Sequence, residues 1–153
     1  DLNNSKKELG RITNPRNVAG DVSVALRNAD VFIGVSGPSI LTASHIKLMA
    51  PKPIVFALSN PTPEILPEEA KKGGAFVIAT GRSDFPNQIN NALVFPGVFR
   101  GALDRGVTKI TEASKVRAAK ALAALVSKPI ASKIIPDVLD TRVVAAVAKA
   151  IKH

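Results

Sequence analysis

Cysteine is absent from the chain, and so are tryptophan and tyrosine; six phenylalanines are its only aromatic side chains. Without cysteine there is no disulfide framework, no thiolate nucleophile and no cysteine-ligated zinc or iron–sulfur site. That absence leans toward a cytoplasmic setting. Apolar runs are short and broken by Lys, Pro or Gly, far from the roughly 20 residues that a membrane helix needs. The opening stretch DLNNSKKELG holds no apolar signal core. A soluble protein without membrane association is therefore expected. At 153 residues it is read as one compact unit, able to bury about two thirds of its unfolded surface.

Acid is scarce as well: 12 Asp and Glu stand against 21 Lys and Arg, a formal net charge of +9 with a pI near 10.2. Such a balance raises nucleic acid as a partner, because clustered cations are what release counterions from phosphate. The cations here are instead spread singly along predicted helices, from Lys109 through Arg117 and Lys128 to Lys152, and no Tyr or Trp is present to stack bases. The reading is a solvated basic surface, or a chain belonging to something larger whose other part carries compensating acid. A basic nucleic-acid-binding module remains as the alternative.

What the chain does have is a repeated short apolar run. DVFIGVSG, PIVFALSN and AFVIATG are each rich in branched residues and each end in small or polar ones, the pattern of strands buried on both faces. Between the first two lies TASHIKLMA, with Thr42 as N-cap and Ile46 and Met49 at helical spacing. Between the second and third lies PEEAKKGG, with Pro67 at the helix start, Glu68 and Glu69 in the first turn, Lys71 and Lys72 in the last, and Gly73 as the stop. This β-α-β-α-β order implies a parallel sheet with right-handed crossovers. After Thr80 the strands cease. Helices are expected over 91–106 despite Pro96 and Gly97, over 111–127 with Thr111 as cap, and over 140–152, with Pro129 and Pro136 separating the last two.

Parallel sheets bind ligands where their strands end, because loops converge there on open backbone amides and helix N-termini. The three strands end in GVSG (34–37), SNPTPE (59–64) and ATGRSDFPNQINN (79–91), so all three loops are expected on one sheet edge. Each also has a purely structural reading. Gly34 to Gly37 suits a turn with positive φ. Asn60 before Pro61 is evenly divided between turn opener and ligand contact. Asn90 and Asn91 could cap the next helix, yet one cap needs one residue. His45 reads as a surface residue without a catalytic part, and Asp84 as a turn residue in preference to a partner of Arg82.

At these residues the chain resembles malic enzymes, which oxidatively decarboxylate malate to pyruvate with NAD or NADP and a divalent metal. ADVFIGVS, PIVFALSNPTPEILPEEA, VIATGRSDFPNQINNALVFPGVFRGALD and IIPDVLDTRV run in the order and spacing of the bacterial and archaeal type, over nearly the whole chain. The resemblance implies a Rossmann-type α/β fold: residues 1–153 as the C-terminal half of the NAD(P)-binding domain, with 1–104 the sheet portion and substrate loop and 105–153 the C-terminal helices. It also implies parts that are not in this sequence. The family's catalytic Tyr and Lys, its metal-binding carboxylates for Mg²⁺ or Mn²⁺ and its Gly-rich dinucleotide fingerprint precede this region, and the chain holds no Tyr and no G-x-G-x-x-G.

By the same resemblance Asn60 and Asn91 contact the substrate, with Asn60 also near the nicotinamide ribose and Asn90 supporting the loop, while Gly34, Val35 and Ser36 run along the cofactor. Amides suit malate, since an Asn side chain both donates and accepts without a charge that would rival a metal. No catalytic residue and no metal ligand is expected within the chain. The expected partners are malate and pyruvate, the N-terminal portion of such an enzyme, and further copies of the protein in a homo-oligomer. The isolated chain is expected to be inactive and to associate, since one apolar sheet edge would lie open. The discriminator between NAD and NADP is not among these motifs. A non-catalytic interaction or structural fragment is the other reading.

Overall fold

The computed structural model describes residues 4–152. A helix, α1 (Asn4–Ile12), leads the chain and buries none of its residues. After α2 (Val22–Leu26), strands and helices alternate as β1 (Val31–Gly34), α3 (Ala43–Ile46), β2 (Ile54–Ala57), α4 (Pro67–Lys72) and β3 (Val77–Thr80). The strands pair in parallel in the order β1-β2-β3, in register from Val31–Ile54–Val77 to Gly34–Ala57–Thr80. This is the α/β, Rossmann-like sheet that the repeated apolar runs imply.

Burial follows position in the sheet. Val55 and Ala57 of the central strand have no exposed surface and pack with Leu26, Leu41, Ile46, Met49, Ile65 and Ala70, while Ile54 and Phe56 on the opposite face are half-buried, so cover is complete on one face only. β1 differs, because Val31 and Ile33 are 45% and 63% exposed. No described strand pairs with its outer edge.

Local chemistry sets the helix limits. Asp21 caps α2, its carboxylate accepting from the Ser23 and Val24 amides at 2.9 and 3.2 Å. α3 is shorter than the sequence pattern suggests, and His45 is part of its cap: its Nδ1 accepts the Thr42 N–H at 3.1 Å. Glu69 of α4 reaches across to accept from the Ala43 amide at 3.1 Å. Gly73 closes α4 in right-handed conformation. What demands glycine there is space, since a Cβ would come within 2.6 Å of the Ile46 Cβ.

Beyond β3 the chain builds a second apolar cluster from a 3₁₀ turn (Asn91–Leu93), α5 (Phe95–Arg105), α6 (Glu112–Ala123) and α7 (Arg142–Ala150). The single helix expected over 91–106 is thus broken at Val94. Pro96 falls in the first turn of α5, where its missing N–H leaves no bond unmade. Gly106, at φ +60°, ends α5 in left-handed conformation. Thr111 caps α6 as its position predicts, its hydroxyl oxygen accepting from the Ser114 amide at 3.2 Å.

Candidate functional site

Because Gly34, Ala57 and Thr80 are register partners, the three strand-end loops begin side by side. They are then stitched together. The Leu58 amide donates to the Gly34 carbonyl at 3.0 Å, and the amides of Ser39 and Leu41 donate to the carbonyls of Pro63 and Glu64 at 3.1 and 3.0 Å. The third loop returns through Gln88, which bridges to Thr80 in parallel, with the Ile89 amide donating to the Thr80 carbonyl at 2.8 Å. That return brings Asn90 and Asn91 back to the strand ends.

At the first loop the structure replaces the turn explanation with a steric one. Neither Gly34 nor Gly37 has positive φ. A Cβ on Gly34 would stand 2.6 Å from the Cδ of Glu64, whose side chain is fully buried. Glu64 Oε1 accepts from the Ser36 amide at 2.8 Å and the Ser36 hydroxyl at 3.2 Å, and Oε2 accepts from the Ser59 amide at 3.1 Å. Gly34 therefore makes room for a carboxylate that spans the first two loops. Val35 and Ser36 are exposed beside it.

Burial pushes the Glu64 carboxyl up, but the amides of Ser36 and Ser59 and the Ser36 hydroxyl outweigh it and hold the group below its ordinary value of 4.5. A depressed folded value gives stabilisation that is complete above the unfolded value and lost as pH falls through the folded one. Asp140, held at about 2 mainly by hydrogen bonds from the Arg142 guanidinium, also loses stabilisation in acid, but it does so in wild type and Glu64→Gln alike and so cancels from their difference. The expected result is a melting-temperature gap between wild type and Glu64→Gln that is full at neutral pH and narrows as acid is added below pH about 4.5. A gap that stays constant down to pH about 3 contradicts this assignment.

The amide run divides into distinct parts. Asn90 is the cap: its Oδ1 accepts from the Ala92 amide at 2.9 Å and its Nδ2 donates to the Gly81 carbonyl at 3.0 Å. Asn91 and Asn60 are exposed, and their side chains make no hydrogen bond to the described residues. Asn87, which the sequence pattern does not single out, is buried and welds the loop to residues 131 and 134. Asp84 is not a simple turn residue. It takes Arg82 in a two-point pair, Nε to Oδ1 at 2.8 Å and Nη2 to Oδ2 at 2.6 Å, while Arg82 Nη1 donates to the Pro61 carbonyl at 3.2 Å. Arg82 thus joins the second and third loops, and its hydrogen bonds hold the Asp84 carboxyl below the usual carboxylate range.

Glu64 is legible in principle, as an acid set between Pro63 and Ile65 soon after a buried strand. Asn87 is not, because its partners lie 44 and 47 residues downstream. A hollow of about 290 Å³ between residues 83–88 and 132–138 lies next to this loop but is lined by neither Asn60 nor Asn91. Asn60 and Asn91 belong instead to the loops that leave the aligned strand ends. Among the described residues no three His, Asp or Glu side chains come together as a metal site, and no helix is long and apolar enough to cross a membrane.

With this geometry in view, comparison with known proteins is specific. Residues 4–153 match the family model for the malic enzyme NAD-binding domain. A bifunctional malic/malolactic enzyme of Bacillus subtilis is 49% identical over 152 residues, covering 98% of this chain and 37% of its own length. An NAD-dependent malic enzyme of Geobacillus stearothermophilus is 50% identical over 147 residues, covering 95% and 30%. The crystal structure of an NAD-dependent malic enzyme from Thermotoga maritima superposes with a TM-score of 0.93 at 48% identity, over 99% of this chain and 40% of that one. The chain therefore spans between 30% and 40% of the length of these three relatives. Family model, sequence and fold agree: this chain belongs to the malic enzyme NAD-binding domain family.

Proposed function

We propose that this chain forms one wall of the active site of an NAD(P)-dependent malic enzyme, which converts malate and oxidised cofactor into pyruvate, carbon dioxide and reduced cofactor. The observation that carries this reading is the aligned strand ends. They set the exposed Val35–Ser36 backbone and the two uncommitted amides, Asn60 and Asn91, along one edge. That arrangement fits a nicotinamide cofactor lying over the first loop and a small dicarboxylate beside the second and third. When bound, the cofactor supplies the hydride acceptor.

The residues of this chain orient and do not transfer protons. Asn91 Nδ2 would donate to a malate carboxylate, and Asn60, on the loop between, would reach both the substrate and the nicotinamide ribose. Asn90 and the Arg82–Asp84 pair hold the third loop so that those amides stay available to a ligand. The divalent metal and the acid–base groups of the reaction would come from residues elsewhere in a full-length enzyme. The open outer edge and exposed face of β1 would be covered there by other segments of such an enzyme or by another copy of it.

The test is malate-dependent reduction of NAD and of NADP by a full-length enzyme carrying this segment, with Mn²⁺ present. Asn91→Ala is expected to lower kcat/KM for malate by about 1–2 kcal/mol, near tenfold, while leaving cofactor affinity nearly unchanged. Asn60→Ala should weaken both malate and cofactor terms. An unaltered kcat/KM for malate in Asn91→Ala removes the substrate assignment. If Asn60→Ala only lowers the melting temperature, Asn60 is a turn residue and nothing more.

A further inference from the structure

We propose that Glu64 is a positioning residue of this site: its carboxylate locks the first strand-end loop to the second and presents the Ser36 hydroxyl oxygen as a hydrogen-bond acceptor toward the nicotinamide cofactor. The inference rests on the function proposed above and deepens it.

An ionised carboxylate can only accept. Buried with no exposed surface, Glu64 must be met by donors, and it is met by three, from Ser36 N–H, Ser36 O–H and Ser59 N–H. The low set of its carboxyl reflects those donors. The Ser36 hydroxyl has one proton, and that proton is spent on Oε1 at 3.2 Å. Ser36 is exposed, so its oxygen lone pairs remain for a ligand to meet. A ligand that meets Ser36 there must bring a donor, as a ribose hydroxyl or a carboxamide NH₂ does. The same carboxylate, through Oε2, also fixes the backbone of Ser59, the neighbour of Asn60. One buried group thus sets the spacing of the cofactor loop and the substrate loop, and Gly34 lacks a Cβ to admit it.

Glutamine at this position keeps the shape and loses the symmetry. One end of its amide accepts, but the other is an NH₂ that must face either the Ser36 or the Ser59 N–H, donor against donor. Only one seam survives. The experiment compares wild type, Glu64→Gln, Ser36→Ala and the double variant in a full-length enzyme carrying this segment. Steady-state kinetics in malate, Mn²⁺ and cofactor are run beside direct titration with reduced nicotinamide cofactor, followed by its fluorescence.

Glu64→Gln is expected to raise the cofactor KM and Kd about tenfold, with KM for malate rising less than about threefold and kcat changing little. Ser36→Ala should raise the same two cofactor constants, and the double variant should be no worse than Glu64→Gln alone, because both changes remove one device. Unchanged cofactor constants in a folded Glu64→Gln protein overturn the proposal, as do effects of the two substitutions that simply multiply. If Glu64→Gln does not fold, Ser36→Ala decides alone, and a cofactor Kd equal to wild type overturns it. Absence of malate-dependent turnover in the wild type would count against the proposed reaction, whereas the cofactor Kd values from fluorescence would still decide for or against Glu64.

Discussion

Replacing Asn87 with alanine is expected to cost the fold about 3–4 kcal/mol, seen as a fall in the urea midpoint with little change in slope. Asn87 Nδ2 donates to the carbonyls of Ile78 and Ala131 at 2.9 and 2.8 Å, and its Oδ1 accepts from the Ile134 amide at 2.9 Å. Asn87 is 7% exposed and its partner residues are half-buried, so truncation leaves two carbonyls and an N–H without this partner, at about 1 kcal/mol each. Its backbone, at φ +56°, lies where Asn is tolerated and Ala is strained by about 1 kcal/mol more. Asn87→Asp should also fail, because its second oxygen would face the two carbonyls that Nδ2 now satisfies. A loss below about 1 kcal/mol for Asn87→Ala would mean that water or a rearranged loop replaces this weld.

Gly101→Ala is expected to lower stability by about 2–3 kcal/mol, against the normal preference of helices for alanine. The added Cβ would stand 2.4 Å from the Ala148 carbonyl oxygen and 2.9 Å from the Ala148 Cα. Both atoms belong to the backbone of α7, so no side chain can swing aside and the two helices must part. Parting them opens the packing of Val143, Val147 and Ile151 and pulls the Ala148 carbonyl from Arg105 Nη1, now at 2.9 Å. Overpacking of this kind exceeds the gain in helix propensity of about 1 kcal/mol. Gly10 in α1 is the control. A Cβ there meets nothing within 4 Å, so Gly10→Ala should be neutral or stabilising by up to about 1 kcal/mol. If both glycine variants melt alike, backbone contact between α5 and α7 does not limit the size of residue 101.

These two residues mark how far reading along the chain carries. The strands are legible because four-residue apolar runs with branched side chains, each closed by a small or polar residue, have few other uses in a parallel sheet. Pro67 at a helix start and Thr111 at a cap are legible because each acts within one turn of itself. Asp84 escapes such a reading, since a turn residue and an ion-pair partner two positions from Arg82 look alike in sequence. His45 escapes it too, because its use, accepting the Thr42 N–H, depends on where a short helix begins.

The sequence by itself determined the order of elements from β1 onward, though not the two helices before it, together with the three loops that share an edge and the family, because each rests on local propensity or on a contiguous motif. Only the tertiary structure decided which amide works for the fold and which stands open. Asn90 and Asn91 are adjacent and chemically identical, yet the first is bound at both ends by Ala92 and Gly81 and the second is exposed. Nor does any local pattern say that Gly34 is small on account of Glu64, or that Gly101 is small on account of Ala148. Such demands arise when two distant segments are brought within van der Waals contact. The physical reason is that packing at interior density tests every pair of neighbours in space, while periodicity and capping test only neighbours in the chain.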